Sequence, residues 1–376
     1  MKKKLISAGI TVLIVVLLIE ISGNNHLYKA VYYNFSRIDN PEIFHNRVVK
    51  KGPQSQKHLF SKSYTKALPV ELEKELVDLE TVSFLMLKDD SIVFERYFGA
   101  HNDSVKTNSF SMAKSIVSML IGAAIKEGKI ESVKDPIAKY IPSFLENGKE
   151  KITIEHVLWM SSGLSWYEHY VNPFSDATKA YYGTDLLGQI NRRKVERSSG
   201  KIHEYLSGDT QILSLLLSRA VRKSVSEYTS EQLWEPLGME SDALWSLDGL
   251  NGEEKGYCCL HSTARDFAKL GQLWLHKGNW KGIQIVDTAY VEASITPCLL
   301  EDAEKLNSKV DYYGYQWWLH QHNGKEVFYM RGIHGQFVLC YPEKNTVIVR
   351  LGHKRGKPCG NTFQEVVNML NFADQF

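Results

Sequence analysis

Apolar and polar positions along the chain alternate between two periods. The runs "TVSFLML" (81–87) and "SIVFERYFG" (91–99) are rich in β-branched and aromatic residues and are joined by Lys88-Asp89-Asp90, a turn signal, so they predict a hairpin. From Asn108 to Ile130, "NSFSMAKSIVSMLIGAAIKEGKI" switches to the helical period. "ITIEHVLWMSSGL" predicts another helix, stopped by Gly163. Residues 165–200 lose periodicity and become aromatic and polar, as a cleft-lining segment would. Helical patterns return at "DTQILSLLLSRAVRK", "VSEYTSEQLWEPLG" and "STARDFAKLGQLWLHKG". Near the C-terminus "YGYQWWLH", "EVFYMRG", "QFVLCYP" and "TVIVRLG" read as antiparallel strands with turns at "QHNGK" and "EKN", and "TFQEVVNMLNF" as a closing helix. Strands near both ends with helices between predict an α+β fold: an antiparallel β-sheet flanked by helices, with a helical insert.

The N-terminus follows a different pattern. "MKKK" precedes "LISAGITVLIVVLLI", fifteen residues without a charge. A positive flank before such a run is a signal peptide or a signal anchor, and "EISGNN" makes a poor cleavage site, which favours an uncleaved membrane anchor helix. The lysines then stay inside and the rest of the chain faces outward. The expected organisation is a basic tail and membrane anchor or signal segment at 1–21, an extended segment and linker at 22–69 with "KKGPQSQKH" as its loosest part, and one large domain at 70–376.

Composition narrows the function classes. Among 376 residues the net charge is +2, so no basic field argues for nucleic acid. The five cysteines, at 258, 259, 298, 340 and 359, lack CxxC spacing and read as small buried residues rather than a zinc site or a disulfide framework. There is no HExxH, EF-hand loop, Walker loop or GxGxxG in a strand-to-helix setting. No metal and no cofactor is therefore expected.

One feature of the helix at 108–130 is chemically odd. Ser111 and Lys114 stand three apart, hence on one face, at the helix start. There the unpaired N–H groups and the positive dipole end disfavour an ammonium, so the Lys114 pKa should fall, more so if buried. A serine beside a lysine able to shed its proton is an activatable nucleophile, and the N–H of Ser111 is available as an oxyanion donor. Two other S-x-x-K pairs, Ser63–Lys66 and Ser198–Lys201, open no long apolar helix. No G-x-S-x-G elbow offers another serine route.

The chain resembles the serine β-lactamase and penicillin-binding family in its class C branch. The resemblance runs over about residues 70–376, through "SFSMAKSIVSMLIG", "GKIESVKDPIAKYIP", "ITIEHVLWMSSGL", "YLSGDTQILSLLL", "LWEPLGM" and "STARDFAKLGQL". Within the branch, "EYLSGDT" and "RGIHGQF" are most similar to 6-aminohexanoate-dimer hydrolases and related esterases. The resemblance implies catalytic roles for Ser111 (acylated nucleophile), Lys114 (its partner) and Tyr205, the tyrosine of the family's Y-x-N element, which would shuttle a proton with a lowered pKa. Ser207 stands where the family often has Asn. Ile333-His334-Gly335 replace K-T-G, so the lysine that meets a β-lactam carboxylate is missing unless Arg331 or another cation substitutes. In that frame the Gln336 N–H would complete the oxyanion hole, Gly335 would let substrate approach the backbone, and His334, read as a strand residue, would line the pocket. Tyr170 falls where relatives place a substrate-contacting tyrosine, whereas Glu168, His169 and Asp176 read as exposed loop residues.

The sequence thus predicts a membrane-anchored, extracytoplasmic serine hydrolase acting on a small-molecule amide or ester, with the membrane as its other partner and no nucleic acid. The alternatives are a non-catalytic ligand sensor of the same fold and a β-lactamase or D-alanyl carboxypeptidase.

Overall fold

A computed structural model of the chain describes residues 2–34, 36–65, 67–305 and 307–376; Lys66, one of the two comparison lysines above, lies outside them. Helix α1 (Lys2–Ser22) comes first, with Leu13, Leu17, Leu18 and Ile21 among its exposed side chains. Several side chains of its first half lie outside the described residues. Among those described, no helix is long and apolar enough to cross a membrane.

The body is built on a seven-stranded sheet. In chain order its strands are β1 (Leu59–Thr65), β2 (Thr81–Lys88), β3 (Ser91–Tyr97), β4 (Trp318–His322), β5 (Lys325–Gly332), β6 (Gln336–Tyr341) and β7 (Thr346–Gly352). Their spatial order is β4-β5-β6-β7-β2-β3-β1. Strand β7 pairs with β2, Val349 opposite Leu85, which joins the two ends of the chain in one sheet. All pairs are antiparallel except the edge pair β1–β3, which is parallel. The sheet is therefore mixed rather than antiparallel throughout. The extra strand comes from the stretch before residue 70, and Asn46–Val49 likewise pairs with Ala243–Ser246 in a smaller sheet.

Strand β2 shows why both faces of the sheet are covered. Successive side chains point to opposite faces. Leu85 and Leu87 join a core with the buried faces of α2 (Met112–Lys126), α3 (Ser207–Val221) and α4 (Ala264–Leu275). Phe84 and Met86 join a second core beneath α5 (Gln364–Ala373) and the Val70–Asp78 helix. With both faces buried, the strand reads as a nearly continuous apolar run.

The helix expected over 152–164 is shorter. It spans Ile154–Leu158 and ends where Met160 turns left-handed at φ 55°. The second of the two serines that follow serves the tertiary structure instead: Asp209, in the first turn of α3, accepts from both the N–H and the hydroxyl of Ser162.

Candidate active site

The site forms where α2 starts. Asn108 accepts from the N–H of Phe110 at 2.8 Å, and Phe110 adopts φ 42°, a region that bulky residues seldom occupy. This sharp turn, on the edge of a small sheet held by Leu260–Ser262, delivers Ser111 to the mouth of the helix. Lys114, one turn on, is 1 % exposed. Its Nζ lies 3.1 Å from Ser111 Oγ, 3.3 Å from Ser207 Oγ and 2.9 Å from the carbonyl oxygen of Tyr257. Burial lowers the Lys114 pKa to about 8, against an opposing pull from the Glu168 carboxylate.

Tyr205 lies beside the pair. Its ring is 5.2 Å from Lys114 Nζ and packs on Trp318 and Tyr313. The expected lowering of its pKa is not found. Burial dominates and pushes the phenol up to about 12, although Ser111, Arg331 and Arg355 pull the other way. A neutral phenol of this kind is a proton donor, so at rest Tyr205 can supply the first proton of the expected shuttle.

The structure thus brings Ser111, Lys114, Tyr205 and Ser207 together. Ser111 and Ser207 border a cavity of about 400 Å³, together with Tyr170, Ile333, His334 and Arg355, and Lys114 and Tyr205 stand behind that wall. Tyr170 presents a 54 % exposed surface there. Further wall comes from Thr178, Tyr181 and Tyr182 of the 165–200 segment, and from Asn34 and Ser36 of the segment expected as a linker.

Two expectations change in the 333–336 stretch. Ile333–Gly335 is a tight turn between β5 and β6, with His334 at φ 61° and Gly335 at φ 78°, so His334 is a turn residue rather than a strand residue. Gly335 and Gln336 do not border the cavity. A Cβ on Gly335 would collide with Arg350 Nη1, so its smallness serves the core rather than substrate approach. The Gln336 side chain is fully buried and donates to the Gly352 carbonyl at 2.6 Å. It is Ile333 that reaches the wall, because Gly332 packs against the carbonyl of Ser109. Arg350, wholly buried in β7, organises this region: it donates to the carbonyls of Gly335 (2.7 Å), Lys354 (2.8 Å) and Leu79 (2.7 Å). It thereby pins the Ile333–His334 turn and the loop carrying Arg355 to one point of the sheet.

Two features were not visible in the sequence. Glu168 is no free loop residue: its carboxylate accepts from the N–H of Ser207 at 2.8 Å, the Ser207 hydroxyl at 2.7 Å and the Trp166 indole N–H at 2.6 Å. Its neighbours His169 and Asp176 behave differently: His169 is exposed, and Asp176 bonds Tyr167 N–H and Arg193. The second feature is a disulfide between adjacent Cys258 and Cys259, directly after the Tyr257 carbonyl that holds Lys114, with Cys258 on the cavity wall. Spacing rules search for bridges that close loops, and a bridge between neighbours closes none. Cys340 is buried as expected, and Cys298 and Cys359 are half-exposed.

Comparison with known proteins agrees with this architecture. Residues 70–362 match the family model described as Beta-lactamase. The 6-aminohexanoate-dimer hydrolase of Paenarthrobacter ureafaciens is 26 % identical over 298 residues, covering 75 % of this chain and 74 % of that protein. A Bacillus anthracis structure that bears the name of the same hydrolase superposes with a TM-score of 0.78 at 23 % identity, covering 92 % of this chain and 94 % of that one. A family VIII carboxylesterase superposes at 0.66 with 14 % identity, covering 85 % and 99 %. The chain belongs to the beta-lactamase family and is a serine hydrolase of it, with amide- and ester-cleaving relatives.

Proposed function

We propose that this protein cleaves a carboxylic amide or ester through an acyl-enzyme on Ser111. The observation that carries the reading is the buried Lys114 amine 3.1 Å from Ser111 Oγ. In its neutral form the amine takes the Ser111 proton as Oγ attacks the substrate carbonyl. The oxyanion develops against the Ser111 N–H, and a backbone N–H of the 333–336 stretch, where the Gln336 N–H was expected to serve, supplies the second donor. Tyr205 gives its proton to the leaving group and regains one from the Lys114 ammonium. Water then hydrolyses the acyl-enzyme by the reverse proton route.

The cavity retains a cation where the family lysine is replaced by Ile333. Arg355 borders it, and Arg331 stacks on Trp318 nearby. No carboxylate among the described residues pairs with either. A substrate carrying its own carboxylate supplies the missing partner, and a 6-aminohexanoate dimer, the compound for which two relatives are named, is a linear amide of that kind.

The same proposal places the enzyme at a membrane, with the catalytic body outside the cytoplasm. It rests on the lysine cluster ahead of the uncharged run and on the exposed apolar side chains of α1. Removing residues 1–22 should move the protein from the membrane to the soluble fraction; membrane association that survives the deletion would refute the anchor. A panel of amides and esters, assayed with wild type and Ser111→Ala in parallel, tests the chemistry. Hydrolysis by wild type alone is expected, and equal rates would end the assignment.

A further inference from the structure

Glu168 is one residue away from exposed loop, yet two of its hydrogen bonds go to Ser207 at the start of α3 and the third comes from Trp166, which packs on the same helix start. The sequence around α3 explains how it arrives. A Cβ on Gly208 would come within 2.5 Å of the Trp166 ring, so only glycine beside Ser207 lets the indole lie against the helix start. The indole N–H then points at Glu168, which also accepts from the N–H and hydroxyl of Ser207 and has the Tyr170 hydroxyl beside it.

The hydrogen count at this point has a directional consequence. Ser207 has one hydroxyl hydrogen, and an ionised Glu168 can only accept it. Towards Lys114, Ser207 can therefore offer only a lone pair, and the Tyr257 carbonyl offers the same. A neutral amine has two N–H bonds and one lone pair. Both N–H bonds are taken by Ser207 and Tyr257, which leaves the lone pair for the Ser111 hydroxyl. After proton transfer the ammonium donates to all three oxygens, with no partner needing to turn.

We propose that Glu168 is a positioning residue of the reaction: it holds the Ser207 hydroxyl as an acceptor, so that the Lys114 lone pair faces Ser111. The proposal rests on the serine-hydrolase reading above. Glu168 is also the one charge that opposes the burial of Lys114. The other titratable groups facing the amine, the phenols of Tyr205 and Tyr257, both have raised pKa values and stay neutral over the working range, as does Tyr170 beside Glu168. Asp209, on the far side of the Ser207 turn, is raised to about 7 by burial, and the Glu168 charge adds to that rise.

The sign of the expected effect follows. Losing the carboxylate removes a charge that favours the ammonium, so the Lys114 pKa falls further and the acid limb of kcat/KM moves to lower pH. In Glu168→Gln the new amide also donates to Ser207, whose hydrogen is then free to occupy the Lys114 lone pair. We expect kcat/KM for an ester to fall by about tenfold or more, with the acid limb displaced downward by at least about half a pH unit. Glu168→Asp should restore part of both. Trp166→Phe, which removes the third bond to the carboxylate, should leave the limb in place. An unmoved limb in Glu168→Gln, a wild-type rate, or an equal displacement in Trp166→Phe would overturn the proposal. If circular dichroism shows Glu168→Gln to be unfolded, Ser207→Ala takes its place: a loss of about tenfold is expected, and wild-type turnover overturns the proposal. Ser111→Ala separates the two levels, since turnover by that variant sinks the hydrolase reading itself, whereas an inactive Ser111→Ala beside an unmoved limb sinks only the role of Glu168.

Discussion

The two walls of the cavity are built on opposite plans. On the inner wall, Ser111 and Ser207, with Lys114 and Glu168 behind them, stand on helix starts or are tied to them, and each polar atom has a partner within about 3.3 Å. On the outer wall, Arg355, Tyr170, Ile333, His334 and Asn34 sit on loops and turns, half-buried or exposed, and Arg355 has no carboxylate partner among the described residues. The inner wall is saturated and buried, which suits groups that must hold one geometry and a shifted pKa. The outer wall keeps unspent hydrogen-bonding capacity and charge, which suits recognition. Arg350 is the hinge between the plans, since its buried guanidinium fixes the backbone of the turn and loop from which Ile333 and Arg355 project.

Changes to the inner wall should break catalysis outright. Ser111→Ala should lower turnover of any substrate by at least about 10⁴-fold while the melting temperature holds; a fluorophosphonate probe should label wild type and not the variant. Tyr205→Phe should cost about 10² in kcat, with a larger loss for amides than for activated esters, because the poorer leaving group needs the proton more. Equal losses for both would remove Tyr205 from the donor role.

The pH profile sharpens the same contrast. Lys114 is charged below its pKa of about 8 and cannot then accept the Ser111 proton, so kcat/KM should rise with pH and reach half its plateau near 8. Stability should follow the same group. The unfolded chain binds more protons than the folded one between about 8 and the ordinary lysine value, so the Lys114 contribution to stability increases with pH through that window and is lowest below it. Lys114→Met should abolish activity and make this part of the stability curve less steep, with the buried Lys255 still contributing to it, a comparison that denaturant titration at pH 7 and pH 10 can make.

Outer-wall changes should be milder and selective. Arg355→Gln should reduce kcat/KM for an ester bearing a carboxylate by about tenfold and leave a neutral ester of the same acyl group within about twofold. An equal loss for both substrates would make Arg355 structural. The smallest effect is expected at His169, whose ring contacts only its own loop: His169→Ala should stay within about twofold of wild type, although it adjoins Glu168.

The sequence alone settled the elements whose signal is local. The 3.6 period announced α2, α3, α4 and α5, the alternation and turn residues announced β2 and β3 and the four C-terminal strands, and the three-residue spacing marked Ser111 and Lys114 as neighbours. These follow from backbone geometry that acts within a few residues, so they survive without knowledge of the rest of the chain. Tertiary structure decided what depends on distant segments meeting. The parallel pairing of β1 needs β3 beside it. The upward shift of Tyr205 comes from burial under rings far away in sequence, against the pull of two distant arginines, and the place of Gly335 is dictated by Arg350 from another strand. Glu168 read as a loop residue because nothing local distinguishes it from His169; only the packing of Trp166 on Gly208 gives it a task. Burial and long-range contact set pKa values and hydrogen-bond direction, and neither is written in the spacing of neighbours.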